Sequence, residues 1–356
     1  QALRGEITPI DIADYPNLAP SGATYMTSKD GINFTPSNKF FNICENPGVY
    51  VNDDNTLSLN AGYGMSGVWN AKNVESSWSL GGKTPAGGMY NTSECPSYFK
   101  WGDYHYLIMG FTGFWGAKLG EELQDWAITG HDIYDGIAVP MVAEFKGDRR
   151  ILAGWATTGR WGNVVIFREL VKLEDGRIGT KWLPEQTPKL PSKPVLSESI
   201  SGKFLEIDLR PDSSYLLEIS GEGSTSGRLA LNFKNQEKIA NEFQLNFDRQ
   251  TAQFALLKDG RELAGYVRPF YENPELLKSR RSGFKNIAIA HVTQVSKPFK
   301  LRLLVKHDAK FGTHFDAEIS QQRTLTVSRE QYFPQTLKII PENLNGEIKI
   351  KLFKLN

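Results

Sequence analysis

Apolar residues in this chain recur mainly at every second position, in short runs closed by Gly, Asp, Asn or Pro. The segment Phe204-Leu205-Glu206-Ile207-Asp208-Leu209 shows the pattern plainly. A period of two places apolar side chains on one face of a strand and polar ones on the other. The same reading predicts strands at 215–219, 228–233, 242–247, 252–257, 287–292, 300–305, 315–319, 324–327 and 347–352, most with one buried and one solvated face. Such runs over about 150 residues, joined by short turns, predict a two-sheet sandwich.

The first half reads differently. Ala23 to Thr27, an Asp30-Gly31 turn and Ile32 to Phe34 predict a hairpin, and similar units follow at 48–60, 98–111 and 141–155. Four such units over about 185 residues, spaced at roughly 40 to 50 residues, predict blades of a β-propeller. Helical periodicity is short wherever it occurs, near Gly120 to Asp125 and Glu272 to Arg281. The stretch 184–198 carries Pro184, Pro188, Pro191 and Pro194, which stiffen an extended segment. It predicts a boundary between a propeller domain at 1–183 and a sandwich domain at 199–356.

Composition agrees with an all-β chain: 33 Gly, 18 Pro and 12% aromatic residues suit many short strands and tight turns. Lysines and arginines total 41 against 40 carboxylates, so the charge balance gives no reason to expect a nucleic-acid partner. No run reaches the 18 or so apolar residues of a membrane span, and the first residues show no basic-then-apolar leader pattern. Cys44 and Cys95 have no metal-ligand spacing, and a single pair is too few for a disulfide framework.

The segment richest in candidate chemistry is Tyr90-Asn91-Thr92-Ser93-Glu94-Cys95-Pro96-Ser97, which runs into the predicted strand at 104–111. A carboxylate just ahead of a strand sits at a sheet rim, where a loop aims it into a cleft. Glu94 is therefore the first candidate for a reacting group, although a lone loop Glu is ordinarily a solvated charge. Trp155, Trp161, Tyr90, Tyr63 and Trp115 are candidates for packing on the apolar faces of a ligand, against ordinary packing as the plainer reading. His105 and His131 have no acid or nucleophile spaced to pair with them, and are read as structural.

Three segments stand in a suggestive order: Glu45-Asn46-Pro47-Gly48-Val49-Tyr50, Ser93-Glu94-Cys95-Pro96 and Arg149-Arg150-Ile151-Leu152-Ala153-Gly154-Trp155. Together they resemble glycoside hydrolase family 32, the invertase, inulinase and levanase group. That family's Arg-Asp-Pro motif lies where Glu45-Asn46-Pro47 stands, its Glu-Cys-Pro matches Glu94-Cys95-Pro96, and its Gly-Trp matches Gly154-Trp155. The resemblance implies a five-bladed propeller followed by a β-sandwich, and a retaining glycosidase acting on β-fructosides or related furanosides. It implies that Glu94 is the acid/base, that Glu45, Asn46, Tyr90, Trp155 and Trp161 bind substrate, and that no cofactor or metal is needed. An oligo- or polysaccharide partner and a secreted, periplasmic or cell-surface location follow from it too.

Two departures qualify the match. The family's first blade, with its nucleophilic Asp, has no counterpart ahead of Asn46, and Asp14-Tyr15-Pro16-Asn17 is only a local echo of that motif. The family's Arg and Asp are here Glu45 and Asn46, and a neutral amide can hold hydroxyls but supplies no charge to an oxocarbenium-like transition state. One carboxylate cannot run a double displacement, so a chain complete as it stands would be a carbohydrate-binding propeller without turnover. A two-domain scaffold with no sugar site is the blandest alternative.

Overall fold

A computed structural model of the chain describes residues 6–8, 10–11, 23–42, 47–61, 67–82, 95–109, 113–125, 135–156, 164–235, 239–258, 261–262, 286–292, 295, 297–329 and 331–355. Among them the regular structure is all β, apart from a 3-10 turn at Pro184–Gln186. The sheet order is that of a propeller-type region followed by a β-sandwich. By packing, the chain forms two compact units, residues 1–127 with 139–142 and residues 128–138 with 143–356.

Three antiparallel up-and-down sheets follow one another along the first half. The first runs Gly48–Val51, Leu57–Ala61, Gly67–Ala71 and Trp78–Gly82, with Glu6–Ile7 added on the last strand. The second runs Ser97–Trp101, Tyr104–Met109, Gly113–Lys118 and Gln124–Asp125; the third runs Ile137–Phe145, Arg149–Ala156, Val165–Lys172 and Ile178–Trp182. Each sheet is a meander, because its turns are short and carry residues that tolerate positive φ, such as Asn55, Gly102 and Gly147.

Two local expectations differ from what forms. The expected helix near Gly120 to Asp125 is a turn, Glu121 N–H donating to Lys118 O at 3.0 Å, followed by the short strand Gln124–Asp125 on the sheet edge. Gly120 at φ +89° is a conformation no helix uses. The hairpin at Asp30-Gly31 is wider than a two-residue turn, with Met26–Thr27 pairing Thr35–Pro36. Asp30 accepts from the backbone of Ile32 and Asn33 at 2.9 and 2.8 Å and from the Asn33 amide at 2.7 Å, which stabilises the longer loop. The other helical expectation, 272–281, lies outside the described residues.

The sandwich packs a six-stranded sheet on a seven-stranded one. The first holds Leu196–Ile200, Ile348–Leu355, Ser214–Gly221, Phe299–Asp308, Gly312–Ile319 and Arg323–Arg329 in that spatial order. Its partner holds Leu205–Asp208, Thr336–Glu342, Arg228–Lys234, Ile239–Asn246 and Thr251–Lys258, the last flanked by Arg261–Glu262 and Asn286–His291. Between them lies one aliphatic and aromatic core in which Phe233, Phe254 and Phe315 are fully buried, with ring centroids 5.0 and 6.0 Å apart about Phe315. The strand Leu196–Ile200 takes in the end of the proline-rich stretch and pairs with Ile348–Leu355.

The third sheet, apart from residues 139–142, belongs with the sandwich to the second unit, and the proline-rich stretch runs within it. Strands Gly312–Ile319 and Arg323–Arg329 are buried along their whole length on both faces. This corrects the expectation of a solvated polar face at 315–319 and 324–327. Their polar side chains lie beneath the third sheet: Arg168 pairs with Asp316 at 2.5 Å and donates to Thr324 Oγ1 at 2.9 Å, and Trp182 N–H donates to Glu318 at 2.8 Å. Asp135 accepts from the Thr180 hydroxyl and faces Arg323 at 3.6 Å. Burial pushes the Asp135 carboxyl above its ordinary range, while Arg323 and Thr180 oppose that shift.

Candidate active site

In the first unit, the strands that follow Glu45-Asn46-Pro47 and Glu94-Cys95 meet at their starts. Gly48 opens the first strand of its sheet, and a Cβ placed there would lie 1.9 Å from the backbone oxygen of Pro96. Only glycine permits so close an approach of two backbones. Tyr50 and Tyr98, two residues further along each strand, stack at 4.1 Å with 28° between the rings. Beyond them Lys100 reaches Asp53 at 2.7 Å. The two strands thus run side by side from Gly48 and Pro96 outward.

Ser97 adds a third strand to this edge. It is buried, and its hydroxyl accepts the backbone N–H of Val142 at 3.0 Å. Cys95 sits at φ +48°, a left-handed conformation that turns the chain sharply before Pro96 fixes the next φ. The tripeptide after Glu94 is therefore held by a strained turn, a proline, a backbone contact and a buried hydroxyl.

Tyr98 connects this edge to its own sheet. His105 Nε2 lies 3.0 Å from the carbonyl of Glu121, which can only accept, so Nε2 carries the proton and Nδ1 accepts from the Tyr98 hydroxyl at 3.2 Å. Burial pushes the Tyr98 hydroxyl up to about 12, which keeps it a neutral donor. His105 is held structurally, in line with the sequence reading.

Of the residues named from sequence, Glu94, Glu45, Asn46, Tyr90 and Trp161 lie outside the described residues, as do Tyr63, Cys44 and His131. Trp155 is half-buried on the strand Arg149–Ala156, opposite Val165. Trp115 is a correction. It is 3% exposed and packs on Leu107 within the second sheet, because Gly113 and Gly116 belong to a strand rather than to a loop. Gly48, Ser97, Tyr50 and Tyr98 were not singled out from sequence. The signal available was a Tyr two positions after each of the touching residues, Tyr50 after Gly48 and Tyr98 after Pro96.

No family model matches the chain, and no curated protein matches it. Solved structures are similar to it over most of its length. A glycoside hydrolase family 32 structure from Bifidobacterium adolescentis shares 11% identity over 98% of this chain at a TM-score of 0.48, and this chain spans 54% of that one, about half its length. A xylan β-1,4-xylosidase from Bacillus halodurans shares 10% identity over 98% of this chain and 84% of its own, at a TM-score of 0.32. The GH43 BlXynB protein from Bacillus licheniformis shares 10% identity over 93% of this chain and 78% of its own, at 0.33. On its own strand pairings, this chain is all-β, with propeller-type sheets ahead of a sandwich.

Proposed function

We propose that the chain is a glycoside hydrolase of the β-fructosidase type, working by a retaining mechanism with Glu94 as the acid/base. The observation that supports this most is the contact of Gly48 with Pro96. That contact joins the last residue of Glu94-Cys95-Pro96 to the residue that follows Glu45-Asn46-Pro47. Two motifs 49 positions apart in sequence are thereby tethered to one point.

In this reading Glu94 protonates the leaving oxygen and later activates water. Glu45 and Asn46 hold sugar hydroxyls, and Tyr90, Trp155 and Trp161 pack on the ring faces. Retention needs a second carboxylate about 5–5.5 Å from the first. The proposal requires that group to come from a segment other than 45–47, 94–96 and 149–155. The substrate is an oligo- or polysaccharide, met outside the cytoplasm.

Asn46 favours a second reading, sugar binding without turnover, because it brings no charge to the transition state. The test is sugar release from sucrose, inulin and levan, with arabinan and xylan as controls, for the parent and Glu94→Gln. Release from a fructan that disappears in the variant supports the hydrolase. Binding of the same fructans with no release from any substrate supports the second reading.

A further inference from the structure

The seven-stranded sheet of the sandwich carries a row of amides and carboxylates on the face turned away from the core. Phe243, Leu245, Ala252 and Phe254 point inward and are buried. Alternation puts Glu242, Gln244, Asn246 and Gln253 on the other face, where the register sets Gln244 opposite Gln253 and Glu242 opposite Asn232.

The row has a direction. An ionised carboxylate only accepts, so Glu242 takes an N–H from Asn232 at 2.8 Å and one from Gln244. Gln244 must then turn its carbonyl oxygen to Gln253, whose amide N–H reaches it at 2.8 Å. That order leaves the carbonyl oxygen of Gln253 at the far end of the chain of bonds. There the row opens into a groove of about 450 Å³ whose walls include Arg228, Asn246, Arg249 and Asp248.

We propose that this groove is a sugar-binding site, taking one or two neutral, polyhydroxylated rings. The charges along its walls balance, Arg228 and Arg249 against Asp248 and Glu342, with Arg228 held bidentate by Glu342 at 2.5 and 3.0 Å. The wall charges sum to zero, so they favour neither sign of ion, and an apolar ligand finds few apolar walls. A hydroxyl both donates and accepts, and so do the side-chain amides of Gln244, Asn246 and Gln253. The volume falls within the usual range for a small-molecule site. The site lies wholly in the second unit and its ligand class is read from its own walls, so it stands whether or not the chain hydrolyses glycosides.

The test is hydrogen–deuterium exchange of the full chain carrying Glu94→Gln, with soluble inulin, levan, arabino-oligosaccharides and xylo-oligosaccharides as separate probes. At least one probe slows exchange several-fold in peptides covering 227–258, and the Asn246→Ala, Gln253→Ala double variant loses that protection. A thermal melt checks that the double variant is folded; if it melts early, Asn246→Ala alone carries the comparison. No protection in that region from any probe, or protection that survives the substitutions, overturns the proposal.

Discussion

Gly48 concentrates much of what holds the proposed site in one hydrogen atom. Adding a methyl group would drive a Cβ to 1.9 Å from a backbone oxygen, a collision that only backbone movement relieves. Gly48→Ala is expected to destabilise the protein by about 1–3 kcal/mol, as overpacking does, and to lower any glycosidase activity with it. Gly82, with nothing within 4 Å of its missing Cβ, is the control: Gly82→Ala is expected to change stability by less than about 0.5 kcal/mol. Urea unfolding of the two variants checks both. Glu94 is nominated by its place in an ordered set of short motifs and lies outside the described residues. The Gly48–Pro96 contact was not legible in the sequence, since it joins residues distant in sequence and nothing local in either segment reports the other. Trp115 misled for a related reason: flanking glycines mark loops more often than strands, and only pairing shows which.

Among the elements, strands were legible wherever alternation was clean, and the sandwich strands stand close to where the period placed them. The strand Thr336–Glu342 was missed. Pro341 argues against a strand, yet it sits near the strand's end, opposite Leu229, while the apolar Leu337, Ile339 and Pro341 face inward. Alternation also reports two faces without reporting what covers the second. Hence the burial of Asp316 and Glu318 could not be read from sequence. Their partners Arg168 and Arg302 lie on other strands, the first 148 positions away. Removing one member of a buried pair leaves an uncompensated charge, so Arg168→Met is expected to cost about 3–5 kcal/mol. The double variant with Asp316→Leu should recover much of that loss, and equilibrium denaturation of the cycle measures it. Full additivity would contradict the pairing.

His314, on the same strand as Asp316, gives that buried layer a pH dependence. Burial lowers its pKa to about 4 from an ordinary 6.5, opposed by nearby Asp316 and reinforced by Arg168 and Lys306. Between those values the unfolded chain binds a proton that the folded chain refuses, so stability falls as pH drops from 6.5 towards 4. The whole loss is about 3 kcal/mol on this group alone. His314→Gln, which can still meet Ser328, should flatten the dependence of the unfolding temperature on pH in this window. Equal slopes in parent and variant would contradict it.

At the scale of the molecule, the second unit joins one propeller-type sheet to the sandwich through buried charges, and Trp182 packs with Leu216 and Phe353. A fragment of residues 199–356 uncovers His314, Asp316, Glu318, Leu216 and Phe353 together. It is expected to unfold at lower denaturant than a fragment of residues 135–356 and to bind more of a dye that reports exposed apolar surface. Equal midpoints would show that the sheet adds no stability. The overall architecture was legible because strand period, turn residues and spacing all pointed to one fold class. Where compact units divide was less so, since prolines mark stiff backbone and not the edge of a packed core.

The proposed chemistry rests on Glu94, and one comparison tests it most directly: the rate of fructose release from inulin and levan by the parent and by Glu94→Gln, both checked for folding. Loss of the acid/base is expected to cut the rate by about 10²–10⁴-fold with an unchanged melting temperature. A variant as fast as its parent would contradict the assignment of Glu94, and a folded parent that releases no sugar from any of these substrates would contradict the hydrolase itself.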